Sequence, residues 1–381
     1  MSDTPPAQRR VTRLALVDFR SYAALDLDTD APIVALAGEN GAGKTNLLEA
    51  LSLFTPGRGL RRAAFTDMAR QGGGGGFAVS ATLDAATGGA RLGTGLEPPA
   101  SSRKCRIDGA PAASPAAFAE YLRIVWLTPA FDGLFLGPAG DRRRFLDRLV
   151  LAIDAAHGRR TGAYERALSS RNRILTETPA DVRWLDSVEH EAAELGVAVA
   201  AARLETTARL AALIATGHDA ASPFPAAGIA LTGTLEEELA RLPAVEVEDR
   251  FRRALREGRA RDRAAGRALA GPQTSDLAVR HAEKDVPAAR CSTGEQKALL
   301  IGLVLAHARL VADMSGIAPL VLLDEIAAHL DPRRRAALFA ALAGLGGQIF
   351  MTGADPALFA DLPASAVTCL VTPGHAIHDV A

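Results

Sequence analysis

Hydrophobic and polar positions alternate in the first thirty residues and then give way to a continuous apolar run. Residues 13–19 alternate apolar and polar side chains, which predicts a half-buried strand, and residues 23–28 are its candidate hairpin partner. Ile33–Ala37 is apolar throughout, which is typical of a strand buried on both faces. A glycine-rich turn and a helix over residues 44–54 are predicted next. The glycines at 72–76 predict a flexible surface loop between strands.

The pattern becomes helical in the middle of the chain. Over residues 141–267, Ala, Leu, Arg and Glu dominate, and apolar side chains recur at helical spacing, as at Leu185 and Val188. Trp184 falls in the same pattern and is expected in a core. A proline and glycine break interrupts the helical pattern around residues 222–228. Heptads are not sustained, so no long coiled coil is predicted.

After Gly271-Pro272 the pattern again alternates between short apolar strands and helices, as in the first segment. A helix is predicted from near Ser292, a buried strand over Leu320–Leu323, a helix after Asp331 and a strand over residues 348–351. We therefore predict an α/β fold in which both chain ends build one domain. That domain is predicted to consist of residues 1–140 and 271–381. Residues 141–270 are predicted to form a helical lobe inserted between the two segments.

Length, charge and cysteine content exclude several classes of protein. The chain has 381 residues, room for about two domains. Its net charge of −1 excludes a strongly basic nucleic-acid tail but leaves room for a local basic patch. Three widely spaced cysteines without a CxxC pair argue against a disulfide scaffold and a cysteine zinc site. The polar N-terminus and the short apolar stretches predict a cytoplasmic protein without a membrane partner.

The turn after the predicted buried strand carries a phosphate-loop motif. The pattern GxxxxGK[ST] is matched by Gly38-Glu39-Asn40-Gly41-Ala42-Gly43-Lys44-Thr45, and Asn46 follows it into the helix. Glycines allow the backbone N–H groups and the helix N-terminus to face phosphates. Lys44 places a positive charge between the β- and γ-phosphates, and the Thr45 hydroxyl reaches Mg²⁺. The motif predicts a bound triphosphate and Mg²⁺.

A second motif is the buried strand that ends in two carboxylates. Residues 319–325 read PLVLLDE. Asp324 is predicted to bind Mg²⁺, and Glu325 to orient or deprotonate the attacking water. Taken alone, an apolar strand ending in acids is equally compatible with a simple strand-end turn. Downstream of a phosphate loop it predicts a catalytic set of Glu325, Asp324 and Lys44.

A third motif, Ser292-Thr293-Gly294-Glu295-Gln296, precedes an apolar helix. Ser292 and Glu295 have the spacing of a capping box, which is a purely structural interpretation. The same geometry leaves an exposed helix N-terminus that can bind a γ-phosphate, with Gly294 permitting close approach. Both interpretations can hold together.

The order of these three motifs resembles the ATP-binding-cassette ATPases. In that superfamily the signature serine and glycine act on the nucleotide held by a second subunit, which implies an ATP-dependent homodimer. Residues 328–331, Ala-His-Leu-Asp, look like the D-loop, with Asp331 at the dimer seam, although Asp331-Pro332 also suits a plain helix start. Thr352 stands where transporters of the superfamily carry a histidine switch, so the resemblance suggests a γ-phosphate contact.

Within that superfamily, the chain resembles the RecF family of bacterial recombination mediators. The separation of 250 residues between Lys44 and Gly294 fits neither transporter cassettes nor SMC proteins with their long coiled coils. Four further stretches are similar to RecF motifs: LVDFRSY at 16–22, GRGLRR at 57–62, LTP at 127–129 continuing through GPAGDRRRFLD at 137–147, and GPQTSDL at 271–277. Ala130 and Gln273-Thr274 depart from the family pattern, as does the pentaglycine.

The resemblance implies an α/β ATPase head of the ABC type that acts as a DNA clamp for gapped DNA. It implies weak, DNA-dependent ATP hydrolysis used as a switch, and loading of RecA together with RecO and RecR. It also suggests that Arg20 contacts nucleotide. Local candidates for DNA contact are two arginine groups: Arg58, Arg61 and Arg62, and Arg142, Arg143 and Arg144.

Alternatives to a DNA clamp remain at this point. A mixed-charge stripe at Arg252, Arg256, Arg259, Arg263 and Arg267 either contacts DNA or forms a solvated or lobe-contacting face. The chain could also be the soluble ATPase subunit of a membrane transporter, against which the motif spacing and the missing histidine switch argue. An SMC-like cohesion head would need a long coiled coil or hook, and a nuclease-fused relative would need an acidic metal-binding domain.

Overall fold

The computed structural model describes residues 6–85, 88–177, 181–217, 222–327 and 330–378. Its strands are β1 Arg9–Phe19, β2 Tyr22–Asp28, β3 Ile33–Ala37, β4 Phe77–Ala85, β5 Ala90–Leu96, β6 Lys104–Ile107, β7 Ala110–Pro111, β8 Ile124–Leu127, β9 Ala227–Thr232, β10 Asp276–His281, β11 Val286–Pro287, β12 Leu320–Leu323, β13 Ile349–Gly353, β14 Ala366–Thr372 and β15 His375–His378. Its α-helices are α1 Lys44–Ser52, α2 Ala139–Ile153, α3 His157–Thr176, α4 Val182–Gly217, α5 Thr234–Leu239, α6 Ala244–Glu257, α7 Arg259–Ala265, α8 Thr293–Ser315 and α9 Pro332–Ala343.

The chain folds into two units. The first comprises Met1–Asp132, Asp219–Pro225 and Lys297–Ala381, and the second comprises Gly133–His218 and Ala226–Gln296. Residues 271–296, which the sequence pattern assigned to the domain built from the chain ends, therefore group with the helical unit. The reason is strand pairing, because β10 runs antiparallel to β9 from Asp276↔Thr232 to His281↔Ala227.

Two sheets build the first unit. One is antiparallel, with the order β2-β1-β4-β5-β6-β7. The other has the order β15-β14-β3-β13-β12-β8, in which β14, β3, β13, β12 and β8 are parallel and β15 pairs antiparallel at the edge. Both faces of β3 are buried, as its continuous apolar run predicts. The parallel order brings the carboxyl ends of β3, β12 and β13 to one edge, where the site residues lie.

The core of the first unit fills the space between these sheets and α1. It includes Leu16 of β1, Val34 of β3, Leu47 of α1 and Leu322 of β12. A buried polar side chain secures this packing. Gln348 accepts from the Val11 N–H at 2.7 Å and donates to the carbonyls of Val11 and Ala31, both at 3.1 Å. Its amide thus satisfies backbone groups that burial would otherwise leave unpaired.

Helices and a small sheet build the second unit. Helix α4 packs against α3 and α6, and their shared core includes Val188 and Phe251. The sheet has the order β11-β10-β9. Strand β9 begins in the predicted proline and glycine break and continues to Thr232 in what was predicted to be helix, whereas β10 and β11 follow the predicted lobe. Trp184 was expected in a core, and that expectation is wrong. Its side chain is exposed on α4, with the Arg173 guanidinium 5.4 Å from its ring centroid.

Helix α8, Thr293–Ser315, is apolar over a longer span than the short apolar stretches noted in the sequence indicated. By length and composition alone it could span a bilayer, but about two-thirds of its most apolar window is buried inside the protein. Leu299, Leu303 and Val311 are among its buried side chains. Burial in a core accounts for the apolar character of such a helix.

Candidate nucleotide-binding site

The phosphate loop joins the end of β3 to α1 and depends on glycine at close approaches. Gly38 has φ +152°, and a Cβ there would lie 2.2 Å from the Val371 carbonyl oxygen. Gly43, the residue that caps α1, has φ +109°, and a Cβ there would lie 2.7 Å from the Tyr22 hydroxyl oxygen. Side chains at either position would displace the loop from the sheet. The motif therefore folds into the backbone conformation that presents N–H groups at a helix N-terminus.

Lys44 lies buried at the centre of this loop. Its Nζ donates to the carbonyl oxygens of Gly38 at 2.6 Å and Glu39 at 2.8 Å. Burial lowers the pKa of the Lys44 ammonium, and the nearby carboxylates of Glu325 and Asp324 oppose that shift. A buried ammonium wrapped by its own loop fits a phosphate ligand, because an anion there would restore the stabilisation that desolvation removes.

Asp324, at the end of β12, accepts hydrogen bonds from two hydroxyl groups. The hydroxyl of Thr45 donates to Asp324 Oδ1 at 2.8 Å, and the hydroxyl of Thr352 donates to the same oxygen at 2.9 Å. Residues 45, 324 and 352 are far apart in sequence. The parallel pairing of β12 with β13 brings residues 324 and 352 together, since Leu323 lies opposite Met351. Strand β3, which leads into the phosphate loop and Thr45, pairs with the other side of β13. Thr45 and Asp324 supply adjacent oxygen ligands of the type that Mg²⁺ prefers, so the residues fit that ion.

Glu325 follows directly and is half-buried. Its backbone has φ +54°, in the left-handed region that non-glycine residues rarely adopt. Its N–H donates to the Thr352 hydroxyl at 2.9 Å. Such conformations persist where surrounding contacts hold them, and they cluster at functional sites. The predicted catalytic set of Lys44, Asp324 and Glu325 therefore meets at one edge of the parallel sheet.

Arg20 and Arg61 share one buried carboxylate beside the phosphate loop. Glu49, on α1, has a fully buried side chain and accepts from Arg20 through both oxygens, at 2.7 and 2.8 Å. Arg61 donates to Glu49 at 2.9 Å and to the Asn46 side chain at 2.7 Å. Asn46 in turn donates to the Ser21 hydroxyl at 2.9 Å. This network places Arg20, Asn46 and Arg61 next to the loop.

The signature residues lie in the second unit, at the start of α8. Ser292, Thr293 and Gly294 are exposed. The Glu295 carboxylate accepts from the Ser292 N–H and from the Ser292 hydroxyl, both at 2.9 Å, which forms the predicted capping box. Lys284 also donates to Glu295, and this contact, with the two Ser292 bonds, lowers the pKa of Glu295 to about 2.

The remaining predicted nucleotide contact is Asp331. It is exposed and caps α9, accepting from the Arg334 N–H at 2.9 Å. That contact matches the plain helix-start interpretation and leaves the dimer-seam role a prediction. Ala328 and His329 of the predicted D-loop lie outside the described residues.

The predicted DNA-contacting arginines differ in their contacts. Arg58 and Arg62 are exposed. Arg142 forms a two-point ion pair with Asp276 at 2.7 and 2.8 Å, which raises the pKa of the Arg142 guanidinium. Arg143 donates to the Ser275 carbonyl at 2.8 Å, and Arg144 pairs with Asp141. Arg142 and Arg143 thus hold the 271–277 stretch within the second unit.

The charged stripe of the second unit is also largely engaged. Arg259 pairs with Asp186 and Glu189, both at 2.5 Å, and Arg252 pairs with Asp249 at 2.7 Å. Arg263 donates to the Leu175 carbonyl. These contacts favour the lobe-contacting interpretation of the stripe.

The sequence reasoning missed three residues that organise these groups: Glu49, Asp276 and Lys284. Glu49 carried a usable signal, because a carboxylate at an apolar helical position predicts a buried ion pair. Asp276 lies in the GPQTSDL stretch that is similar to a RecF motif, but no sequence signal pointed to Arg142, 134 residues away, as its partner. Nor did any signal pair the exposed Lys284 with Glu295. At the departure from the RecF pattern, Gln273 accepts from the Tyr164 hydroxyl at 2.5 Å and donates to the Ala270 carbonyl at 2.8 Å.

The chain is similar to a family of known proteins along most of its length. The family model described as "RecF/RecN/SMC N terminal domain" matches residues 10–370. The DNA replication and repair protein RecF of Mesorhizobium japonicum is 58% identical over 359 residues, covering 94% of each chain. The same protein of Brucella suis is 55% identical over 371 residues, covering 97% of this chain and 96% of the relative.

Solved structures show the same fold. The recombination mediator protein RecF-ATPrS in the RecFOR pathway superposes with a TM-score of 0.86 at 19% identity, covering 99% of this chain and 100% of that chain. The SmcHead bound to the C-winged helix domain of ScpA gives a TM-score of 0.55 at 15% identity, covering 97% and 96%. The predicted ABC-type α/β head is confirmed, and the chain belongs to the RecF family.

Proposed function

We propose that this protein is an ATP-dependent DNA clamp that acts in the repair of gapped DNA. The observation that carries the proposal is the meeting of Lys44, Thr45, Asp324 and Glu325 at one sheet edge. Relatives sharing more than half of their residues are named DNA replication and repair proteins, which supports the biological setting. A solved relative is named as bound to ATP in the RecFOR pathway, which supports the ligand.

In the proposed reaction, Lys44 and the loop N–H groups bind the triphosphate and stabilise the charge that develops on it. Glu325 accepts a proton from a water molecule whose oxygen bonds to the γ-phosphorus. The bond from that phosphorus to the β–γ bridging oxygen breaks, and ADP and phosphate leave. Mg²⁺, held by Thr45 and Asp324, supplies further charge neutralisation when bound. Hydrolysis is weak and DNA-dependent, and it serves as a switch.

The switch is the ATP-dependent formation and opening of a homodimer. Each nucleotide is held by the phosphate loop of one subunit and by Ser292, Thr293, Gly294 and Glu295 of the other, with Asp331 at the seam. The ligand biases the equilibrium only through its stronger binding to the closed state. Closure forms the duplex-binding surface, to which Arg58, Arg62 and the other predicted arginines contribute. The protein works in the cytoplasm with RecO and RecR to load RecA.

The test is fluorescence anisotropy of labelled duplex and gapped DNA, titrated with protein alone, with ADP and with ATP. We expect ATP to tighten binding by at least tenfold and Lys44→Met to abolish that difference. Affinity without nucleotide should be equal in the two proteins, which controls for folding. DNA binding that is absent in every nucleotide state at low salt, beside intact ATP binding, would overturn the DNA clamp.

A further inference from the structure

The Thr352 hydroxyl joins the two acidic residues that follow β12. It donates its single proton to Asp324 Oδ1 at 2.9 Å and accepts the Glu325 N–H at 2.9 Å. Its side chain lies on β13 and is only 1% exposed. A hydroxyl has one proton to donate, so donation to a phosphate would require Thr352 to release Asp324.

Each of these hydrogen bonds restrains one acidic residue of the proposed site. Asp324 Oδ1 also accepts from Thr45, and Thr45 is the other oxygen ligand that suits Mg²⁺. When Thr45 turns to an ion, the Thr352 bond keeps the Asp324 carboxylate oriented. Glu325 adopts φ +54°, and a bonded N–H holds that strained backbone and hence the direction in which its side chain leaves.

We propose that Thr352 is a positioning residue that aligns Asp324 and Glu325, and that it acts through them without contacting nucleotide. The inference rests on the proposed ATPase site. It replaces the γ-phosphate contact that the histidine-switch resemblance suggested for this position. Partners that orient metal ligands in this way typically change metal affinity or activity by about 10- to 100-fold when removed.

The experiment compares Thr352→Val, which removes the hydroxyl at nearly constant shape, with Thr352→Ser, which keeps the hydroxyl and removes the methyl group. Binding of a fluorescent ATP analogue is titrated with Mg²⁺ and repeated in EDTA, on full-length protein without DNA. We expect Thr352→Val to raise the Mg²⁺ concentration at half-saturation by about tenfold, with unchanged nucleotide affinity in EDTA. Thr352→Ser should stay within about twofold of wild type, a range small against that effect.

Two results would overturn the inference. Equal losses in the valine and serine variants would assign Thr352 to packing, and weakened nucleotide affinity in EDTA would indicate a direct phosphate contact. Thr352→Ala, which lacks the same hydroxyl, replaces the valine variant if the latter does not fold. Because neither DNA binding nor dimerisation is measured, failure of the DNA clamp would leave this result unaffected.

Discussion

Arg61 donates from Nη1 to Glu49 Oε2 at 2.9 Å, and the Glu49 side chain is fully buried. The sequence placed Arg61 in a candidate DNA-contacting loop, whereas this contact ties the arginine to helix α1. Glu49 also holds Arg20, so one buried carboxylate anchors two guanidinium groups next to the phosphate loop. Arg61 therefore stabilises the loop against helix α1, independently of any contact with DNA.

Arg61→Ala should lower the free energy of unfolding by about 1–2 kcal/mol, because a charged hydrogen bond to a buried carboxylate is lost while Arg20 still pairs with it. Arg58→Ala is the matched control, because Arg58 is exposed in the same loop and the change leaves the Arg61–Glu49 pair intact; it should change stability by less than about 0.5 kcal/mol. Urea denaturation measures both. Equal stability in the two variants would show that the Glu49 contact contributes nothing.

Glu325→Gln should slow ATP hydrolysis by at least about 100-fold, because an amide cannot accept the proton of the attacking water. ATP binding should persist, so the variant should accumulate as a long-lived ATP dimer on DNA. Single-turnover hydrolysis and light scattering measure the two effects, with Lys44→Met as the variant that does not dimerise. A dissociation rate in ATP equal to that of wild type would remove Glu325 from the catalytic role.

Arg171→Met should destabilise the second unit by about 3–5 kcal/mol, since it leaves the buried carboxylate of Asp262 without its cation, while Glu189 keeps only Arg259. Arg171 is fully buried and donates to Glu189 at 2.9 Å and to Asp262 at 2.8 Å. Arg209→Met removes an exposed pair with Glu205 and should cost less than about 1 kcal/mol. Urea denaturation of the full chain compares them, and similar losses would contradict the structural importance of the buried network.

The pKa of Glu295 should be near 2 in the folded protein and should rise toward its ordinary value near 4.5 in Lys284→Met, because Lys284 is the largest cause of the shift. A carboxyl group whose pKa is lower in the folded than in the unfolded chain stabilises the fold at pH values above the unfolded pKa. That contribution is complete above about pH 4.5 and is lost as the pH falls toward 2.

Carbon-13 NMR of the labelled Glu295 carboxyl group measures this pKa directly in both proteins. Thr45→Ser, which leaves the α8 N-terminus untouched, serves as the control and should reproduce the wild-type value. An unchanged pKa in Lys284→Met would assign the shift to the Ser292 capping contacts alone.

The fold class and the phosphate loop could be predicted from local sequence. An apolar run predicts a buried strand, and Gly38, Gly43 and Lys44 have to stand close together in the chain for one turn to wrap phosphates. The capping box at Ser292 and Glu295 is equally local, since it spans a single helical turn. Family motifs extended this reasoning over nearly the whole chain, and family membership is confirmed.

Tertiary structure alone decided which distant side chains form hydrogen bonds or ion pairs with each other. Asp324 and Thr352 are 28 residues apart and meet because β12 and β13 are parallel neighbours. The buried status of Glu49, the pairing of Arg142 with Asp276 and the grouping of β10 with β9 arise in the same way. Periodicity in a sequence reports which face of an element is apolar, whereas these contacts depend on which elements become neighbours.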